Sequence, residues 1–205
     1  LSKQIPDVAD QQNVVLMLID ASRTKGIVSD VIDGAYAILG ASYRFIGGGS
    51  SDNLHFKKSF QFLNGKIYED AVVAACLTTT TNQSVSLKHG WKPTGVNMVV
   101  TKSAGKVVKE IDGSPALKVY MDILGQDITT FNFNDFYSFA SAHPLGLPTG
   151  LDEYIIRDPL TASTTDNFIT FVSEVPENSI VRIMEGNSET LLEASSLAAA
   201  SAKDS

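Results

Sequence analysis

The side chains in this 205-residue chain whose types suit chemistry are three histidines (His55, His89 and His143), one cysteine (Cys76) and two arginines set in apolar runs, Arg157 and Arg182. A zinc site needs ligands closely spaced along the chain, and no pair of these histidines has that spacing. Cys76 lies in the apolar run Ala71-Val72-Val73-Ala74-Ala75-Cys76-Leu77. A buried, inert thiol is expected there rather than a nucleophile, and a single cysteine excludes an internal disulfide. There is no G-x-S-x-G elbow, no H-E-x-x-H and no cysteine with an evident partner. The acidic pair Asp152 and Glu153 falls in a polar loop, where solvation is the ordinary role. A catalytic triad is recognised by geometry rather than by sequence, so these absences weigh against an enzyme without excluding one.

A second group of residues suits ligand binding. Gly47-Gly48-Gly49-Ser50-Ser51-Asp52-Asn53 exposes backbone N–H groups as a phosphate loop does. Neither G-x-x-x-x-G-K-[ST] nor G-x-G-x-x-G is complete, and no helix clearly follows. A tight backbone approach or a sheet-edge turn explains the glycines equally well. Between these readings stands a loop lining a ligand cavity, with Gly48, Gly49, Ser50, Asp52 and Asn53 as its contacts. An inward-facing Arg157 would grip a carboxylate through its planar fork. The plainer alternative is that Arg157 and Arg182 face solvent or pair with a nearby acid such as Asp158 or Glu185. His143 precedes Pro144 and so belongs in an extended turn.

The elements that must position these residues follow from patterning. Val14-Val15-Leu16-Met17-Leu18-Ile19 reads as a strand buried on both faces. Ser29 or Asp30 caps a helix through Val31, Ile32, Ala35, Tyr36 and Leu39, with Gly40 as its stop. Tyr43-Arg44-Phe45-Ile46 is a strand feeding the glycines. Asn64-Gly65 joins the runs Lys58–Phe62 and Lys66–Tyr68 as a hairpin, and Ala71–Leu77 continues the sheet. Beyond the polar stretch at 78–84, strands are predicted at 96–101 and 106–111 with a turn at Asp112-Gly113. A helix follows Pro115 through Leu124, and further strands lie at 154–157, 168–172 and 179–184. The fold class is α+β (mixed α/β), sheet-rich, with largely antiparallel strands packed with a few helices.

Bulk properties bound the function. The chain is 43% hydrophobic and 19% charged, as an ordinary globular protein is, and carries a net charge of −7. That charge offers no basic face to nucleic acid or to anionic membranes. Its longest apolar stretches fall short of the ~20 residues needed to cross a bilayer. No signal peptide is visible, and the cysteine usage fits a reducing, cytoplasmic setting. A first residue of Leu, and a helical pattern at 191–200 that stops soon after it starts, point to a fragment of a longer polypeptide.

The order and spacing of several segments resemble the FIST family of sensory proteins. Phe45-Ile46-Gly47-Gly48-Gly49-Ser50-Ser51-Asp52-Asn53, the Asn64-Gly65 hairpin and Asp70-Ala71-Val72-Val73 are similar to the close of its N-terminal region, placed here at 1–86. His89-Gly90-Trp91-Lys92-Pro93-Thr94-Gly95, Val99–Gly105, Val108–Leu117, His143-Pro144-Leu145-Gly146 and Tyr154-Ile155-Ile156-Arg157 are similar to its C-terminal region, placed at 87–205 and truncated. The resemblance implies a cytoplasmic sensory module that binds a small ligand, such as an amino acid or similar metabolite. The module would relay binding to a signalling protein such as a histidine kinase or a cyclic-nucleotide enzyme. It also implies haem as a candidate cofactor of a nitric-oxide sensor. Haem needs only one axial imidazole; His89 is then the first candidate ligand, with Trp91 stacked on the porphyrin. The alternative from another class is a ligand-free structural or adaptor domain. The expected pocket lies near residues 47–53, 89–93 and 143–157.

Overall fold

The computed structural model describes residues 11–20, 27–53, 55, 57–150 and 152–204. It divides into a first compact unit, up to Leu87 together with Ser201–Ser205, and a second, Lys88–Ala200.

In the first unit the apolar run at 14–19 becomes β1 (Gln12–Asp20), the centre of a three-stranded sheet. β1 pairs in parallel with β2 (Tyr43–Ser50), placing Val15 opposite Phe45 and Met17 opposite Gly47, and antiparallel with β5 (Val72–Thr79). Parallel neighbours need a crossover, which α1 (Ile27–Leu39) supplies. Val31, Ala35 and Leu39 recur at helical spacing on one face, and they pack with Tyr43 and Phe45 against Val15, Met17 and Ile19. Gly40 ends the helix at φ 78, its N–H donating to the Tyr36 carbonyl. Asn64 and Gly65 both have positive φ, as a two-residue hairpin turn requires, and join β3 (Gln61–Leu63) to β4 (Lys66–Tyr68).

Four sequence expectations are corrected in this unit. β1 is not buried evenly on both faces: on the side away from α1 Val14 is enclosed, but Leu18 is 44% exposed. α1 begins at Ile27, so Ser29 and Asp30 lie inside its first turn, where Asp30 faces the positive end of the helix rather than capping it. The strand expected from Lys58 contracts to the three residues of β3. Cys76 is half-buried rather than enclosed, packed at the margin of the same cluster.

The second unit is built on one antiparallel sheet. The strands in chain order are β6 (Lys92–Ala104), β7 (Val107–Ile111), the two-residue β8 (Ser114–Pro115), β9 (Leu145–Gly150), β10 (Glu153–Arg157), β11 (Pro159–Ser163), β12 (Phe168–Phe171) and β13 (Ile180–Glu185). They lie in the order β10-β9-β13-β6-β7-β12-β11, with β8 on β7. α2 (Ala116–Ile123) starts behind Pro115, which lacks the N–H a first turn would leave unpaired. Its Leu117, Tyr120 and Met121 are sealed with Val100, Val108, Ile111, Ile169, Phe171 and Val181 into one core. β9 and β11 are strands that patterning did not mark: Pro148 interrupts the run of β9, and Pro159 opens β11. Phe131 and Phe133 alternate, yet Phe133 lies on a 3-10 turn at Phe133–Asp135 and Phe136 on α3 (Phe136–Ala140); Phe131 meets Phe133 edge-on and Phe136 stacks on Phe133 instead of lining a strand. α4 (Ser188–Asp204) follows β13, starting earlier than the Leu191 of the sequence reading. Among the described residues, every non-glycine with positive φ is Asn or Asp: 53, 64, 70, 112, 152, 167 and 178.

Candidate functional site

The glycines of β2 acquire a physical role once the sheet is in place. A Cβ on Gly47 would collide with the Met17 backbone carbonyl of β1, so the residue is a glycine because the parallel strands approach closely there. Gly48 has no such neighbour. Three side-chain-free residues following Phe45-Ile46 leave space under α1 that ordinary strand residues would fill. The result is a cavity of about 320 Å³ bounded by Met17, Ile19, Val28, Ile32, Phe45 and Ile46, with the backbone of residues 47–49 as one wall. It lies towards the carboxyl ends of two parallel strands, beside the amino-terminal half of the crossover helix, where α/β sheets commonly hold ligands.

Ser50, Asp52 and Asn53 take other parts in this unit. The Ser59 hydroxyl donates to Asp20 Oδ1 at 2.5 Å, lies 2.8 Å from Ser50 Oγ, and Gln61 Nε2 donates to Ser50 Oγ at 2.5 Å. Ser59 and Gln61 are buried, so this network meets the hydrogen-bonding needs of groups removed from water. The Asp52 carboxylate accepts from the Lys57 and Lys58 N–H groups at 2.7 and 2.9 Å, closing a turn, and Asn53 takes the left-handed conformation at φ 58. Of the candidate ligand contacts in this stretch, Gly48 and Gly49 face a cavity, while Ser50, Asp52 and Asn53 hold local structure.

In the second unit His89, Gly90 and Trp91 are fitted to the start of α4. A Cβ on Gly90 would strike the Thr190 carbonyl and the Leu191 backbone, and one on Gly186 would sit 2.9 Å from Trp91 Cε3. His89 Nε2 lies 3.1 Å from the Tyr154 carbonyl; a carbonyl only accepts, so Nε2 carries the proton. His89 Nδ1 is then a bare acceptor, buried without a partner among the described residues. Tyr154 in turn meets Arg182, whose Nη1 donates to its hydroxyl at 3.0 Å and whose Nε donates to Asn97 Oδ1. Arg182 therefore does not depend on Glu185. Arg157 donates through Nε to the Glu174 carbonyl at 2.6 Å and through Nη1 to the Ile156 carbonyl, rather than to Asp158. Burial lowers its pKa, opposed by the charge of Glu174, and a guanidinium so placed stays cationic. Burial also raises the pKa of the Asp158 carboxyl.

His143 donates Nδ1–H to the Phe139 carbonyl at 2.9 Å and packs against the Phe139 ring, while the Tyr120 hydroxyl donates to the His143 carbonyl at 2.7 Å. Burial pushes the Tyr120 phenol above its usual range, so it stays a donor. His89, His143 and Arg157 thus share no hydrogen-bond partner, and each is tied to its own segment of backbone.

These geometries test the fit to haem. His89 offers iron no ring nitrogen, since one carries its proton to a carbonyl and the other is buried. His143 commits Nδ1 to the Phe139 carbonyl, and neither it nor His55 lines the cavity under α1. Among the described residues, no three His, Cys, Asp or Glu side chains gather to hold a metal ion. Among the described residues, His89, the first candidate ligand, does not fit the group.

A second, open cavity of about 480 Å³ lies at the start of α4, lined by Lys92, Glu185, Gly186, Asn187 and Thr190. Asn187 and Thr190 cap the helix reciprocally: Thr190 N–H donates to Asn187 Oδ1 and Asn187 N–H to Thr190 Oγ1. Sequence reasoning singled out Gly48 and Gly49 of the first cavity but missed Met17, Ile19, Val28 and Ile32, and it missed Glu185, Gly186, Asn187 and Thr190 of the second. For the first, the available signal was a run of glycines directly after Phe45-Ile46, on a strand facing an amphipathic helix.

Comparison with known proteins adds the lineage. Residues 1–114 match the FIST N domain and residues 116–205 the FIST C domain. The uncharacterized protein MJ1623 of Methanocaldococcus jannaschii is 30% identical over 153 residues, which is 70% of this chain and 30% of that protein. The chain therefore spans under a third of that relative's length. No solved structure matches it. With its full length accounted for by the two domain descriptions in order, the chain belongs to the FIST family of sensory domains, which bind small ligands.

Proposed function

We propose that this chain is the ligand-receiving part of a cytoplasmic signalling protein, that it is not an enzyme, and that its ligand occupies the cavity under α1. The observation carrying this reading is that cavity, about 320 Å³ between the crossover helix and two parallel strands, in a chain of a sensory family. Its volume falls in the range of small-molecule sites. Binding acts by shifting an equilibrium between two arrangements of the chain, so the ligand's affinity for the two must differ. A flanking domain or a partner, such as a histidine kinase or a cyclic-nucleotide enzyme, reads the shift.

A thermal-shift screen of metabolites on the purified chain tests this. At 100-fold excess over its Kd, a ligand adds about 2.7 kcal/mol of stability, which raises the melting temperature by roughly 5–10 °C for a protein of this size. A panel in which no compound moves the midpoint would overturn the sensor reading and leave a ligand-free adaptor in its place.

A further inference from the structure

We infer that the ligand of the α1 cavity is an uncharged, mainly aliphatic molecule, and that the first two turns of α1 close on it. This inference rests on the sensor reading and narrows it. Six apolar side chains and glycine backbone form the cavity wall, and among the described residues none that lines it is charged. An ammonium or carboxylate placed there would lose its water without gaining a counter-charge. A free amino acid, charged at both ends, is therefore a poor occupant. The polar groups on offer are backbone ones. β2 pairs with β1 along one edge and stands at the end of its sheet, and residues 47–49 have no side chains to cover their amides. Backbone N–H and C=O groups suit a neutral hydroxyl, ester or amide on an otherwise aliphatic body.

The helix supplies the second half of the inference. Val31, Ala35 and Leu39 hold α1 to the sheet, whereas Val28 and Ile32, which line the cavity, are 37% and 41% exposed. Filling the cavity gives these two side chains apolar neighbours and draws the amino-terminal half of α1 onto the ligand. The carboxyl-terminal half is already seated. Occupancy is thus converted into the position of one helix end.

The test is fluorescence titration of the whole chain with the uncharged probe N-phenyl-1-naphthylamine, followed by competition with 1-octanol, octanoate and leucine. Octanol is expected to displace the probe at a concentration at least tenfold below octanoate or leucine. Ile32→Trp, which fills the cavity from the helix side, is expected to weaken probe binding at least tenfold. Leu77→Trp, at a 56% exposed position on β5, is expected to bind as the parent does. Val28→Trp repeats the block in the first turns should Ile32→Trp fail to fold by circular dichroism. Equal competition by octanoate or leucine would overturn the ligand class. Probe binding that is unchanged in both cavity variants would overturn the location. A charged metabolite that raises the melting temperature equally in the parent and in Ile32→Trp would sink this inference and the cavity assignment, while leaving a sensor that binds its ligand elsewhere. If neither the probe nor any metabolite binds, both fall.

Discussion

The two units of this chain bury their apolar residues to different degrees. In the second, Val100, Val108, Ile111, Leu117, Met121, Ile169, Phe171 and Val181 have no exposed surface at all. In the first, the enclosed core is Val15, Met17 and Ile19, while Leu18, Ile46, Phe62, Ile67 and Leu77 stand well exposed. Both units are rich in apolar residues, so composition does not separate them. What separates them is layering. The second unit's long antiparallel sheet packs α2 and α3 onto one continuous core, whereas among the described residues the first packs the single helix α1 on its three-stranded sheet. The contrast places rigidity in the second unit and adaptability in the first, which is where the ligand cavity lies. Sites that must respond to a ligand are drawn from the less stable parts of a protein.

The largest expected effect is in amide exchange. Amides of β7 and β12 in the second unit should exchange about 100-fold or more slowly than those of β1 and β2, measured by mass spectrometry on the intact chain. Equal protection would erase the contrast. Next come paired truncations. Ile169→Ala, at a fully enclosed site, should cost about 4 kcal/mol, while Ile46→Ala, 38% exposed, should cost about 1 kcal/mol or less by urea unfolding. Similar costs for the two would mean that the first unit's surface is covered in solution. The smallest effect concerns pH. Asp158 has a folded pKa raised above its ordinary 3.8 by burial. Below 3.8 the carboxyl is neutral in both folded and unfolded chains. As pH rises through 3.8 to the raised value, the unfolded chain ionises first and stability falls. Asp158→Asn should flatten that part of the stability curve, and an unchanged slope would reassign it.

Local signals carried a large part of the fold. The Asn64-Gly65 hairpin, the Gly40 stop, the Pro115 helix start and the strand–helix–strand crossover at 12–50 each rest on backbone chemistry that a few adjacent residues decide. β9 and β11 were not legible, because their pairing is set by distant partners such as Arg182 opposite Gly146 and Phe171 opposite Pro159. The candidate site was half legible. The glycines at 47–49 stood out by type, but the cavity they leave depends on Met17 and Ile19 from another strand and on Val28 and Ile32 from the helix. His89, His143 and Arg157 stood out as chemistry, yet each satisfies a backbone carbonyl. Nothing in a local window reveals which carbonyls will lack other partners.

The left-handed turns built from Asn and Asp act before folding begins. A glycine in each place would reach positive φ freely, but it would also leave the disordered chain free to wander elsewhere. Asn and Asp carry a Cβ that removes many of those alternatives, and their side chains bond the local backbone in turn geometry. Asn64, Asp112, Asp152, Asn167 and Asn178 therefore bias the chain to reverse direction near where its strands must meet. Each such bias shortens the search for antiparallel partners, so the second unit, held together by pairings between distant strands, has its corners partly drawn while still unfolded.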